Sequence, residues 1–538
     1  MCGIFAYISE TPINYPLLQA INIEGMKCKS RGPDNTVTRK ISENTFLMFH
    51  RLKINDMSDL GNQPISHPDD YNLTLICNGE IYNHKKLISE NNFYTKSSSD
   101  CEVILHMYKK YGINKTIKSL DGVFAFLLID NSKNKIFIGR DPIGIRSLYI
   151  GKDKPNSILI GSECKTLSSI CKYVTPFFPG KYLAIDFYNI PKNINNLDYI
   201  TYYDYIYPTI HYNKEVILDN IYSTLNRAIE KRMISDRPIG CLLSGGLDSS
   251  LITALVAKQF NKKELCTFSI GFEGSEDLKY AKIVANHLNT KHHEYIVTEQ
   301  MMIQALEEVI KGIETYDITT IRASVPMYLL SKYIKNNTDI TVLFSGEGSD
   351  EASGSYMYFH NAPDADSFNN ETVRLLKDLQ YFDVLRSDKS TACNGLEVRV
   401  PFLDKEFLQY YMQIDPHLKI PNGKIEKFLL RKAFDDGLLP DEILWRSKEA
   451  FSDGVSSKKK SWFTILQEHI DNEISDEEFE TRRIKYTHNT PTIKEALYYR
   501  EIFHKYFPNN GNIIPYYWLP KWNGDIKDPS ARVLKVYK

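Results

Sequence analysis

Three short stretches of this chain carry residue types that can do chemistry. The first is Ser244-Gly245-Gly246-Leu247-Asp248-Ser249-Ser250, set between the apolar run ending in Cys241-Leu242-Leu243 and the apolar run Leu251–Ala257. Strand, glycine turn and helix in that order present backbone N–H groups and a helix N-terminus to an anion. Gly245 and Gly246 have no Cβ to obstruct a phosphate. Ser244, Ser249 and Ser250 add hydroxyl donors, and Asp248 can hold a hydrated Mg2+ between phosphates. No Lys follows the glycines, so this is not a Walker A loop. The second stretch, Ser345-Gly346-Glu347-Gly348-Ser349-Asp350-Glu351, follows the apolar run Ile340–Phe344. Carboxylates crowded near a phosphate loop repel unless a cation joins them, which makes Asp248 and Asp350 the metal-side acids. The third is Cys2. Removal of Met1 would leave a free α-amino group beside its thiol. That amine titrates near ~8 and can take the thiol proton, giving a nucleophile without a histidine. Each stretch also has a purely structural reading: a glycine cap, a solvated acidic turn, the second residue of a first strand.

The elements that must hold these stretches differ between the two parts of the chain. In the N-terminal third, strands are expected at Phe46–Leu52, Leu73–Cys77, Val123–Ile129 and Ile136–Gly139, with a helix opened by Asp100 as its N-cap. Short strands with one or two helices predict an antiparallel sandwich covered by helices. Residues 186–213, polar and then Tyr-rich, read as a linker whose tyrosines pack across a domain junction. Beyond it, Ile217, Ile221, Leu225 and Ala228 recur at helical spacing, as do Leu278, Ala281, Val284 and Leu288. Buried strands at Leu265–Gly271 and Ile340–Phe344 alternate with these helices. That alternation predicts a doubly wound parallel sheet, with ligands beyond the carboxyl ends of its strands.

Bulk properties exclude several function classes. The 538 residues exceed one core, and Lys+Arg 66 against Asp+Glu 67 leaves a net charge of -1. There is no basic excess to drive nucleic-acid or membrane binding, and the run Lys458-Lys459-Lys460 reads as a solvated face. The nine cysteines show no CxxC pair and no regular spacing. Neither a signal peptide nor a membrane span is evident, and a reducing cytosolic compartment fits.

The motifs also carry resemblances. SGGLDSS resembles the pyrophosphate loop of the ATP pyrophosphatases, which split ATP between its α and β phosphates. Cys2, Arg31-Gly32-Pro33-Asp34, His50-Arg51-Leu52, Asn78-Gly79-Glu80, Ser99-Asp100 and Arg140-Asp141-Pro142 resemble, in order, the class II glutamine amidotransferases, whose glutaminase is an Ntn hydrolase. Over nearly its whole length the chain resembles the glutamine-hydrolysing asparagine synthetases. Glu314-Thr315-Tyr316-Asp317, Gly395–Asp404 and Trp445-Arg446-Ser447-Lys448-Glu449 add to that likeness.

The resemblance implies an α+β Ntn-hydrolase sandwich (residues 2–185), a linker (186–213) and an α/β doubly wound domain of ATP-pyrophosphatase type (214–538). It makes Cys2 the nucleophile on the glutamine amide, with Asn78 and the N–H of Gly79 as oxyanion hole. Arg51 would pair with the glutamine α-carboxylate. Glu80 and Asp100 would receive its α-ammonium, with backbone around Ile54 and Asn55 lining the pocket. A structural ion pair is the other reading of Arg51 and Asp100. In the second domain Leu243, Ile270, Ser345 and Gly346 would contact adenosine, and Ser244, Gly245, Gly246, Leu247, Asp248 and Ser249 the pyrophosphate. Glu347 would serve adenylation and take a proton from ammonia, and Lys448 would neutralise phosphate charge. Thr319 and Arg322 would bind aspartate, with Asp383 and Arg386 near the same pocket. ATP is the co-substrate, Mg2+ the metal, and a homodimer the family's expectation. Two departures stand out: Ser355 and Ser147 occupy positions where the family often has Gly and Pro. Amidation of another carboxylate, a tRNA-modifying adenylating enzyme and an inactive regulatory homologue are the competing readings.

Overall fold

The computed structural model describes residues 1–260, 264–421, 425–448, 454–456 and 460–530. Glu449, Lys458 and Lys459, singled out above, lie outside the described residues. The first 201 residues supply twelve strands. In chain order they are β1 (Gly3–Ser9), β2 (Asn35–Ser42), β3 (Thr45–Arg51), β4 (Ile65–His67), β5 (Asp70–Ile81) and β6 (Gly122–Asp130). Then come β7 (Lys135–Arg140), β8 (Tyr149–Lys152), β9 (Ser157–Gly161), β10 (Tyr173–Pro176), β11 (Lys181–Asp186) and β12 (Ile200–Thr201). They form two antiparallel sheets, ordered β10-β8-β9-β1-β3-β2 and β12-β11-β7-β6-β5-β4.

Alternation along β1 explains the layering. Ile4, Ala6 and Ile8 face Ile76, Leu127, Ile129 and Ile138 of the opposite sheet. Phe5 and Tyr7 point the other way, against Ile21 of the helix Tyr15–Gly25. On the far face, Leu75, Cys77, Phe124 and Phe126 pack on Val103, Ile104 and Met107 of the helix Val103–Tyr111. The result is helix, sheet, sheet, helix. The strand β12 lies within the segment read as a linker, and it adds to the edge of the second sheet through β11. The tyrosines that follow do span the junction: Tyr205 donates to the carbonyl of Pro142 at 2.6 Å and packs with Tyr207 against a cluster containing Leu376 and Leu408.

The second part is built on five parallel strands: β13 (Ile239–Leu242), β14 (Cys266–Gly271), β15 (Lys291–Ile296), β16 (Val342–Phe344) and β17 (Glu397–Arg399), ordered β15-β14-β13-β16-β17. Helices cover both faces: Cys241, Val342 and Phe344 meet Leu251, Leu255 and Ile221, while Phe268 and Leu343 meet Ile310, Ile321 and Val325. The chain runs outward from β13 in both directions, so the crevice at its carboxyl end is the switch point where such sheets bind ligands. The strands β15 and β17 went unread in the sequence. Lys291-His292-His293-Glu294 is too polar to show an apolar run, as suits an edge strand, and β17 is only three residues long.

The two parts are joined by buried charge. Glu314 adopts φ +63° and accepts the N–H groups of Cys164 and Lys165 at 2.8 Å each, while Lys389 pairs with the same carboxylate. Glu314→Gln leaves the Lys389 ammonium without a carboxylate. A loss of about 3–5 kcal/mol is expected, read by chemical denaturation, and an unchanged midpoint would refute it.

Candidate active sites

Cys2 sits just before β1, and its N–H donates to Asn78 Oδ1 at 2.9 Å. That bond fixes the Asn78 amide, whose Nδ2 is buried and has no hydrogen-bond partner. A buried, unpartnered amide donor beside a thiol is what an oxyanion hole requires. Gly79 follows on β5, where a Cβ would stand 2.4 Å from the carbonyl of Val123. The thiol is drawn to the carbonyl of Leu52 at 3.7 Å. Burial pushes the Cys2 thiol up to about 11, and the ammonium of Met1 offsets this only in part. That ammonium is itself committed to Glu397, at 3.4 Å. With Met1 in place, alkylation of Cys2 by iodoacetamide is therefore expected to climb about tenfold per pH unit between pH 7 and 10. A rate independent of pH over that range would contradict the buried-thiol picture.

Around the thiol, Arg51 donates to the carbonyl of Ser58 at 2.6 Å, to Asn62 Oδ1 at 2.9 Å and to the carbonyl of Asp56. These acceptors are neutral, so the guanidinium keeps its charge for an anion. Asp100 is not its partner. It accepts the N–H of Ile81 at 2.6 Å and caps no α-helix, because residues 100–102 form a 3-10 turn. The N-cap reading of Asp100 is thereby corrected: the backbone of β5 has captured the carboxylate. Glu80 accepts from Asn55 at 2.5 Å and lies 3.6 Å from Arg399. Burial pushes Glu80 well up, with Glu397 and Asp100 adding to it. An arriving ammonium would oppose that shift. The carbonyl of Ile54 is taken by the N–H of Asp236.

At the carboxyl end of β13, the loop Leu243–Gly246 leads into the helix Leu247–Gln259. Gly245 is at φ +74°, and a Cβ there would lie 2.4 Å from the N of Ala281. Ser249 Oγ accepts the N–H of Ser244 at 3.1 Å and lies 3.0 Å from its hydroxyl, which draws the loop into a ring of donors. Gly346 approaches Asp248 and Ser249 so closely that a Cβ would sit 2.8 Å from their backbone. The two glycine turns therefore share one cavity of about 230 Å3. Leu243, Ser244, Gly246, Leu247, Asp248, Ser249, Ile270, Ser345 and Gly346 line it on the nucleotide side. Thr319, Glu347, Asp350, Asp383, Arg386 and Lys448 line the rest.

Charge in this cavity is ordered. Arg386 grips Glu347 through two parallel bonds of 3.0 and 2.6 Å and reaches Asp383 at 2.5 Å. Burial pushes Glu347 up, and Arg386 opposes that. Asp350 would also be raised by burial, but Lys427 and Lys448 hold it well below the usual carboxylate range. Lys427, unread in the sequence, bridges Asp248 and Asp350 at 2.5 and 2.6 Å. A lone Lys next to unremarkable neighbours gave no signal; only its φ of +60° and burial aim it here. Glu351 and Tyr356, hydrogen-bonded to each other, also line the cavity without having been assigned a role.

Thr319 Oγ1 is buried with no partner, so a donor–acceptor faces the cavity unused. Arg322, one turn further along the helix Ile318–Asn337, does not line this cavity. Its guanidinium is held by Glu495 at 2.8 and 2.6 Å and by Asp528 at 3.1 and 2.8 Å. In this arrangement the charge of Arg322, expected to bind aspartate, is shared between these two carboxylates. Among the described residues no group of three or more His, Cys, Asp or Glu is arranged to hold a metal. The Lys427 ammonium fills the position between Asp248 and Asp350, so Mg2+ brought in on the phosphates would meet the lone pairs these carboxylates have left. Mg2+ carried by phosphates needs only one or two carboxylates, so the pair fits it.

A thiol at the second position of a two-sheet sandwich, joined to a parallel sheet with a serine–glycine phosphate loop, defines a glutamine amidotransferase fused to an ATP-pyrophosphatase-type synthetase. Sequence comparison agrees domain by domain: the glutamine amidotransferase domain profile matches residues 1–196 and the asparagine synthase profile residues 220–374 and 361–524. The chain is similar to the glutamine-hydrolysing asparagine synthetases of Mus musculus (44% identical) and Homo sapiens (43%), in each case over 100% of this chain and 99% of the relative. That of Gallus gallus is 44% identical over the same shares. The chain belongs to the glutamine-hydrolysing asparagine synthetase family.

Proposed function

We infer that this chain converts glutamine, aspartate and ATP into asparagine, glutamate, AMP and pyrophosphate. The observation that carries the reading is the single cavity shared by the two glycine turns, with Thr319 unpartnered on one side and the Glu347–Arg386 pair on the other. Once Met1 is removed, the free α-amino group of Cys2 takes the thiol proton, the thiolate attacks the glutamine side-chain amide, and the ammonium so formed returns its proton to the departing nitrogen. Asn78 Nδ2 and the Gly79 N–H stabilise the oxyanion, ammonia leaves, and water releases glutamate from the thioester. Arg51 holds the α-carboxylate, and Glu80 with Asp100 the α-ammonium.

In the second domain the aspartate β-carboxylate attacks the α-phosphorus of ATP. Ser244, Gly245, Gly246, Leu247, Asp248 and Ser249 hold the departing pyrophosphate, and Lys448 with Lys427 offsets its charge. Adenylation matters because a carboxylate is a poor electrophile, whereas its mixed anhydride carries a good leaving group. Mg2+, held by Asp248 and Asp350, would screen the phosphate oxygens. Thr319 and Asp383 position aspartate. Glu347 orients Arg386 during adenylation and, in its unprotonated form, takes the proton released as ammonia adds and AMP departs. Ammonia crosses the interface between the domains, which division we place within 186–213. The nine free cysteines support a reducing, cytosolic setting. No helix among the described residues is long and apolar enough to cross a membrane.

The test is an amidation assay with aspartate, MgATP and glutamine that reads AMP and asparagine together. Equimolar AMP and asparagine are expected; formation of ADP and orthophosphate instead would end this reading.

A further inference from the structure

The helix Ser349–Ser353 ends at Gly354, which turns the chain at φ +60°. Ser355, only 2% exposed, is thereby folded back onto Asp350. Its N–H donates to the Asp350 carbonyl at 3.1 Å, and its hydroxyl donates to Asp350 Oδ1 at 2.6 Å. The same Oδ1 accepts Lys427 at 2.6 Å, and Oδ2 accepts Lys448 at 2.5 Å. A carboxylate offers about four lone-pair sites, and three are filled. Both lysine contacts depend on how this carboxylate is rotated, and the terminal torsion of Asp is soft by itself. Glycine at position 355 would supply no hydroxyl to hold it.

We propose that Ser355 is a positioning residue of the nucleotide site: its hydroxyl locks the Asp350 carboxylate in the rotation that holds Lys427 and Lys448 against the phosphate loop. This rests on the adenylation reading above. The hydroxyl acts on no substrate atom; it acts through Asp350. A charge-assisted hydrogen bond of this length is among the stronger kinds, and losing its positioning effect should weaken nucleotide binding about five- to tenfold.

The experiment is a double-mutant cycle on the full chain, with Ser355→Ala and Asp350→Asn singly and together. The readout is affinity for a non-hydrolysable α,β-methylene ATP with magnesium chloride, measured by calorimetry, alongside the melting temperature of each variant. Ser355→Ala is expected to weaken binding about five- to tenfold when Asp350 is present and less than about twofold in the Asp350→Asn background. Ser355→Thr, which keeps the hydroxyl, is expected to restore most of the loss. Equal weakening in both backgrounds, or none in the first, overturns the proposal. Failure of the unmodified protein to bind the nucleotide would overturn the adenylation reading itself, and this proposal with it.

Discussion

Replacing Cys2 with Ala is expected to reduce glutamine-dependent asparagine formation by at least about a thousandfold, the scale on which loss of a covalent nucleophile acts. Synthesis supplied with ammonium salts should persist within about threefold. The asymmetry follows from where the groups lie. Cys2 is bonded to Asn78 of the first domain, whereas the adenylating cavity is lined by residues from Leu242 onward. Free ammonia can reach the second site without a thioester ever forming. The measurement is asparagine formed from each nitrogen source, on the purified variant at pH 8, where a fraction of ammonium is deprotonated. Equal loss with both sources would show that the two chemistries share a site.

Replacing Glu347 with Gln is expected to cut pyrophosphate release from ATP and aspartate by about a hundred- to a thousandfold, as when one preorganised electrostatic group is removed from a reaction centre. The change keeps the volume of the side chain. It removes the charge that meets Arg386 through two bonds, leaving that guanidinium to Asp383 alone. Burial raises Glu347, and only its unprotonated form accepts a proton, so synthetase activity in the unmodified chain should fall as pH drops through that raised value. Glutaminase activity in Glu347→Gln should be retained within about twofold. Undiminished pyrophosphate release would remove Glu347 from the chemistry.

Much of this protein is settled by local sequence. Ser244–Ser250 must be a strand-to-helix turn, because one apolar run stops at its glycines and another resumes after it, and Ser345–Glu351 must be the turn that ends an apolar strand. Cys2 is singled out by the motifs that follow it in order, and Asn78-Gly79 by the family resemblance those motifs carry. The two turns are read within a dozen residues, and the structure places them as such. Other residues were fixed by partners distant in the chain. The partners of Arg322, Glu495 and Asp528, stand 173 and 206 residues away and could not be read locally. Lys427 has no local signature, and it enters the cavity because two carboxylates from the first turns of separate helices meet there. Asp100 caps no helix because the backbone of β5 reaches it first. Local sequence determines which turns can cradle phosphate, and the order of the motifs points to the thiol. Which charges remain available to a ligand is decided only by tertiary packing, since a buried ionic group goes to whichever opposite charge the fold brings nearest.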